Sequence, residues 1–288
     1  MLFWIAVLPS AVASSTAGMG LTPMGGGMSG ITEPGVLGIS ATPSAALSRS
    51  SELALDGGAN FYSITAELEG ANPEQASGMV PMPFFGATVP FGSWGIGAYG
   101  MIPYGGGISM SENGAQRFHS IESRGYLVEG GLAVARQISK QLTLGTTVRI
   151  GRATLLKDAA MNTAALINGR TDLSPPLDNN DPLLHGRQVL DISGLGVGFG
   201  LGASMALPND WSVHLGYRSP MSVPVSGTAD IRPFDDIPLT MTGEAEGRFT
   251  YAQELELGVV VPIGITRLSV MGGWTDWSGW ETPERSPA

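Results

Sequence analysis

Residues 194–205 read GLGVGFGLGASM, with Gly194, Gly196, Gly198, Gly200 and Gly202 on one parity and Leu195, Val197, Phe199, Leu201, Ala203 and Met205 on the other. A period of two defines a strand, because a helix places its apolar residues three and four apart. In a soluble sheet the second face would be polar and solvated. Here it is bare backbone, and glycine inside a strand marks the close approach of another backbone or of a ligand. The stretch reads as a wall strand of a membrane β-barrel, with lipid on the odd face and a filled interior on the even one.

The same comb recurs on both sides of this stretch. Segments 60–69, 80–90, 93–101, 124–138, 141–155, 211–218, 254–261 and 267–277 each carry apolar residues on one parity, as in Leu142, Leu144, Val148 and Ile150 against Thr143, Thr147 and Arg149. With the glycine comb this makes about nine strands, and recurring alternating segments of about ten residues are the signature of a transmembrane barrel. The connections at 139–140, 208–210 and 262–264 are short and those at 157–188 and 227–239 long, which is the asymmetry of inner turns and outer loops. Trp94, Trp211, Tyr217, Trp274, Trp277 and Trp280 fall near strand ends, where an interfacial girdle places them. Short helices are predicted over 158–168, which begins with an N-cap Asp and has Gly169 after it, and over 44–55.

Composition excludes several classes. Charged residues are 14% of the 288, against about 25% in typical soluble domains, while Gly numbers 42 and Pro 20. A net charge of −10 argues against nucleic acid as a partner. No cysteine is present, which removes disulfides, thiolate metal sites and Cys nucleophiles together. Residues 1–13 form a short apolar run ending in Ala11-Val12-Ala13 and read as a signal peptide, although no Lys or Arg precedes the run. Residues 14–58 are Gly-, Ser- and Pro-rich, yet with Met24, Met28 and Leu37 they are more apolar than a solvated linker, which suits a plug inside the barrel formed by 59–288.

Several segments resemble the FadL/TodX family of outer-membrane transporters for long-chain fatty acids and other hydrophobic compounds. They are PFGSWGIGAYGMIPYGGG at 90–107, ARQISKQLTLG at 135–145, WSVHLGYRSPMSVPVSG at 211–227 and MGGWTDWSGW at 271–280, in the family's order. The resemblance implies a barrel of about fourteen antiparallel strands, an N-terminal hatch and an apolar lumen pocket with lateral release through a kinked strand. It also implies residence in the bacterial outer membrane, with its lipid and the barrel assembly machinery as partners. Against that pattern, the family's Asn-Pro-Ala hatch segment does not follow Pro43-Ser44-Ala45. An odd strand count and a polar end at 281–288 lead to the expectation that the sequence is incomplete at its C-terminus.

No catalytic constellation, metal site or cofactor is predicted. The histidines His119, His185 and His214 form no paired motif, the glycine spacing is not that of a nucleotide loop, and Asp178-Asn179-Asn180-Asp181 reads as a turn rather than a calcium loop. Arg149, His214, Arg218 and Arg267 share the lumen parity with Glu129, Glu254 and Glu256. A lumen arginine is able to hold a fatty-acid carboxylate, but such charges more commonly pair with one another. Candidate apolar contacts are Met24, Met28, Leu37, Phe84 and Phe85, with Met161, Ala164 and Ala165 for capture at the long loop and the face of Gly194 to Gly202 left bare. Pro81, Pro83 and Pro90 remove ladder donors and are candidates for the lateral opening. Two functions fit: passive transport of a hydrophobic small molecule, or a non-transporting barrel with a structural or adhesive role.

Overall fold

The computed structural model describes residues 4–8, 35–48, 50–66, 74–112, 114, 117, 120–162, 185–232 and 240–276. They form one curled antiparallel sheet, a half-barrel, of twelve strands: β1 Trp4–Leu8, β2 Glu52–Ala66, β3 Glu74–Phe91, β4 Trp94–Ser109, β5 Glu122–Gln137, β6 Leu142–Asn162, β7 His185–Ala206, β8 Ser212–Arg218, β9 Met221–Arg232, β10 Met241–Tyr251, β11 Gln253–Ile263 and β12 Thr266–Asp276. From β2 to β7 each strand pairs with the next, β8 and β9 both pair with β7, and β11 pairs with β8 and β12. β8 and β9 are halves of one pass broken at Ser219 and Pro220, and β10 and β11 are halves of another broken at Ala252. From β2 onward the described residues therefore make nine passes, matching the sequence expectation.

The glycine comb lies in β7 with its odd face outward. Leu195 and Val197 are about two-thirds exposed (64% and 65%), whereas Gly196, Gly198 and Gly200 are buried. Neighbouring strands present the same face through Leu132 and Val134 on β5 and Val148 and Ile150 on β6, all exposed. This continuous apolar surface is the lipid-facing side of a transmembrane wall. Register is fixed because a shift by one residue would turn every one of these side chains inward.

All short turns lie at one end of the sheet. Gly92 (φ +62°) joins β3 to β4, Pro208–Asp210 joins β7 to β8 with Asn209 and Asp210 at positive φ, and Gly264 (φ +63°) joins β11 to β12. Trp94 and Trp211 lie at this end, and the Arg136 guanidinium sits 4.9 Å from the Trp94 ring centre, as an interfacial aromatic belt requires. Trp277 and Trp280 lie outside the described residues.

β1 pairs with β12 at the edge of the sheet, and residues 35–48 lie inside the curl. Two single 3-10 turns, Val36–Gly38 and Pro43–Ala46, bury Ile39 and Ala46 completely in an apolar cluster with Phe84, Tyr99, Met101, Ala133 and Ala135. Two sequence expectations are corrected. Residues 44–55 are not one helix: the 3-10 turn ends at Ala46, and Leu53 and Leu55 alternate with Ala54 and Asp56 and pair with β3 from Glu52 onward. Residues 158–162 are strand, because β7 supplies β6 with ladder partners as far as Asn162 and Arg187 clamps the Asp158 carboxylate with bonds of 2.7 to 3.0 Å. In both places long-range pairing overrides local helix propensity.

Candidate functional site

The inner face of β7 explains its own glycines, because each holds a place for something else. A Cβ on Gly194 would run into the Pro224 carbonyl and one on Gly196 would stand 2.8 Å from the Ser222 carbonyl oxygen, because β9 bends inward across this part of the wall. A Cβ on Gly198 would lie 2.8 Å from Arg149 Nη2 and 3.3 Å from Met221 Cε. At Gly202 it would meet Thr42 Oγ1 and, at 2.8 to 2.9 Å, the Pro43 ring, so the N-terminal turn rests there. Gly200 alone has no atom nearer than 3.4 Å. Glycine's missing side chain thus makes room for a second strand, a guanidinium and the plug in turn.

The bend in β9 follows from its register. The β7–β8 ladder runs up to Gly200↔Arg218 and the β7–β9 ladder resumes at Gly194↔Val225, leaving five residues of β7 facing six on the other strand. Ser219 ties the break: its N–H donates to the Phe199 carbonyl (2.9 Å) and its Oγ accepts from the Phe199 N–H (2.9 Å). Beyond it Met221, Val223 and Val225 are buried with Tyr104, Leu127, Ala153, Ile192 and Tyr251 in a second apolar cluster, on the outer-loop side of the first.

Between the two clusters lies a layer of buried charge. Arg149 Nη1 donates to Glu129 Oε2 at 3.1 Å, and Arg218 Nη2 reaches both Glu129 oxygens at 3.0 Å. The Tyr99 hydroxyl donates to Glu129 Oε1 (2.9 Å), and Tyr104 donates to Glu254 Oε1 (2.6 Å), whose other oxygen is 3.5 Å from Arg218 Nε. Arg149 Nη2 donates to the Ser219 carbonyl at 2.6 Å, which joins the layer to the β8–β9 break. Glu129 is 1% exposed, Arg149 3% and Arg218 4%. Two cations thus meet two anions in a dry setting where an unpaired charge would be very costly. The Nε atoms of Arg149 and Arg218, Glu254 Oε2 and Thr147 Oγ1 find no hydrogen bond among the described residues.

Two features border this layer. On the turn side, Ser44 of the N-terminal plug shares a 2.7 Å bond with Ser204, Ser204 a 3.0 Å bond with His214 Nδ1, and His214 Nε2 a 2.9 Å bond with Ser212. Sideways, the β3–β4 ladder stops at Phe84↔Met101, the level of Glu129, which lies opposite Met101. Beyond that level the part of β3 from Glu74 to Pro83 pairs with β2 alone, and β4 slips register between Met101 and Tyr104 at the buried Pro103. Pro81 and Pro83 stand on this open stretch, while Pro90 is paired with Gly95 near the turn.

The sequence matches no family model and no curated protein. Among solved structures, the chain superposes on a FadL homologue from Pseudomonas aeruginosa with a TM-score of 0.72 at 14% identity, over 92% of this chain and 70% of that one. The chain shares the fold of this FadL homologue. The toluene transporter TbuX of Ralstonia pickettii gives a TM-score of 0.63 at 17% identity, covering 89% of this chain and 70% of that one. The toluene transporter TodX of P. putida gives 0.58 at 14%, covering 85% and 71%. The four chains therefore share one fold.

Within this fold the sequence candidates divide. Arg149 and Arg218 come together with Glu129 and Glu254, and His214 belongs to the plug contact. Arg267 is exposed beside the Gly264 turn, and Glu256 is half-buried on the face of Glu254. Phe84 is buried in the lumen, whereas Phe85, one residue on, points outward at 60% exposure, since neighbours in a strand take opposite faces. Leu37 packs on the first cluster, Met161 is in strand β6 rather than a loop helix, and Met24, Met28, Ala164 and Ala165 lie outside the described residues. Tyr99, Tyr104, Ser219 and Met221 belong to the site and were not foreseen. For Tyr99 the available signal was Gly131 across the ladder, which clears space for its ring.

Proposed function

We propose that this protein is a passive transporter of hydrophobic small molecules across the bacterial outer membrane, of the long-chain fatty acid or aromatic hydrocarbon class. The ligand enters from the long-loop end, lodges against the apolar cluster around Met221 and Tyr104, and leaves sideways between β3 and β4. The observation carrying this reading is the coincidence of level between the buried charge layer and the end of the β3–β4 ladder. An apolar ligand moving down the lumen meets charges that it is unable to solvate, at the height where the wall beside it loses its hydrogen bonds. The plug closes the turn-side end, with Pro43–Ala46 seated on Gly145 and Gly202. Lumen apolarity also supports transport over a purely structural barrel, since polar interiors are the rule where no hydrophobic ligand is carried.

Uptake of labelled oleate and of a labelled aromatic hydrocarbon by a deletion strain, with and without the gene, tests the reading. The gene is expected to restore uptake of at least one of them, and equal rates for both strains reject transport.

A further inference from the structure

Glu129 is the least exposed charged side chain of the layer, and its position is that of a ligand. Its two oxygens take one N–H from Arg149, both contacts from Arg218 and the hydroxyl of Tyr99, all within 2.9 to 3.1 Å. Two converging guanidiniums with a hydroxyl donor are what recognition of a free carboxylate requires. Here the protein supplies that carboxylate from its own strand β5. Arg218, moreover, faces a second internal carboxylate, Glu254.

We infer that Glu129 is a specificity-determining residue, a built-in carboxylate that fills the Arg149–Arg218 site and turns the lumen against fatty acids in favour of uncharged hydrophobes. The inference rests on the transport reading above and narrows its substrate class. The argument is one of charge. With Glu129 and Glu254 in place the layer holds two cations and two anions, and Glu256 adds a third acidic group on the same face. An incoming carboxylate must either lie unneutralised in a low-dielectric lumen or expel Glu129, which then becomes the unpaired buried charge itself. An aromatic or aliphatic hydrocarbon asks nothing of the layer and packs against Met221, Tyr104 and Leu127, which adjoin it.

The test measures binding, so that it stands apart from transport. The full chain is reconstituted in nanodiscs, and retention of labelled oleate and labelled naphthalene is measured above empty discs, for the unaltered protein and for Glu129→Gln. The substitution keeps the side-chain shape and removes one negative charge from beside Arg149 and Arg218. The ratio of oleate to naphthalene affinity is expected to rise at least tenfold. The neutral pair removal Glu129→Met with Arg149→Met is expected to keep the original ratio. If Glu129→Gln gives no heat-modifiable barrel, Glu254→Gln supplies the same charge change beside Arg218 and is read in the same way. Oleate retained equally by the unaltered protein and the charge variant, or by neither, overturns the inference. If the unaltered protein retains neither probe while the charge variant gains oleate, the role of Glu129 stands and the transport reading falls.

Discussion

Gly202→Ala is the sharpest perturbation of the plug, because Gly200→Ala, two residues away on the same face, is its control. A Cβ on Gly202 would stand 2.8 Å from Pro43 Cδ and 2.9 Å from Pro43 N and would press on Thr42 Oγ1, whereas on Gly200 its nearest neighbours are at 3.4 to 3.6 Å, ordinary contact. Pro43 and Thr42 are both fully buried, the Pro43 ring has no rotamer to turn to, and Thr42 Oγ1 is held by Ser44 Oγ (2.9 Å) and the Leu215 carbonyl (3.2 Å), so the plug yields by a shift of its backbone. Overpacking of this kind costs about 1–3 kcal/mol, a change of roughly 5- to 150-fold in the ratio of displaced to seated plug. The chain has no cysteine, so Ala45→Cys introduces a single buried reporter. Its rate of reaction with a membrane-impermeant maleimide is expected to rise at least fivefold in Gly202→Ala and to stay within twofold in Gly200→Ala. Equal rates in the two variants would show that the plug does not rest on the comb and would refute the account of the glycines.

The remaining expectations concern the wall and the layer. Val197→Arg, on the lipid face, should cost about 2–4 kcal/mol of folding free energy near the bilayer midplane, read from urea titration of the barrel in lipid vesicles; a cost below about 0.5 kcal/mol would place Val197 away from lipid. Replacing Pro83 and Pro103 together with valine returns an N–H donor to each of the two strands that part at the β3–β4 break, and transfer of naphthalene into the surrounding membrane should slow; unchanged transfer rules out this exit. Tyr104→Phe removes the 2.6 Å donor to the buried Glu254 carboxylate, with an expected loss of about 1–3 kcal/mol, measured by the same titration.

How much of this was legible in the sequence depends on how local the cause was. The outward face of β7 was, since Leu195, Val197, Phe199 and Leu201 follow the two-residue period that the lipid boundary imposes, and so was the pairing of turn end with loop end. Strand length was not. β6 continues to Asn162 past an apparent helix start at Asp158 because β7 lies beside it and Arg187 grips that Asp, and neither fact is written within ten residues of the position. The lumen charges were half legible. Parity put Arg149, Arg218, Glu129 and Glu254 on one face, but parity says nothing about height, and only the register Arg149↔Gly198, Gly200↔Arg218 and Arg218↔Glu254 brings them to one level. Arg267 shares their parity and lies near the turn.

The segment Gly216-Tyr217-Arg218-Ser219-Pro220 shows why one short stretch governs so much of the interior. Pro220 has no N–H to give the β7 ladder, so the pass must leave the wall there. In lipid, the Phe199 groups thereby released would be left unpaired, and Ser219 takes both of them, one with its backbone and one with its hydroxyl. With the next strand turned inward, its Met221, Val223 and Val225 become lumen side chains, and the bare faces of Gly194 and Gly196 are the space into which that strand moves. Arg218, the last residue before the break, points into the layer, and Arg149 holds the Ser219 carbonyl from the opposite side. The bend that builds the second apolar cluster and the charge layer beneath it are therefore one mechanical unit, fixed by three consecutive residues, Arg218, Ser219 and Pro220.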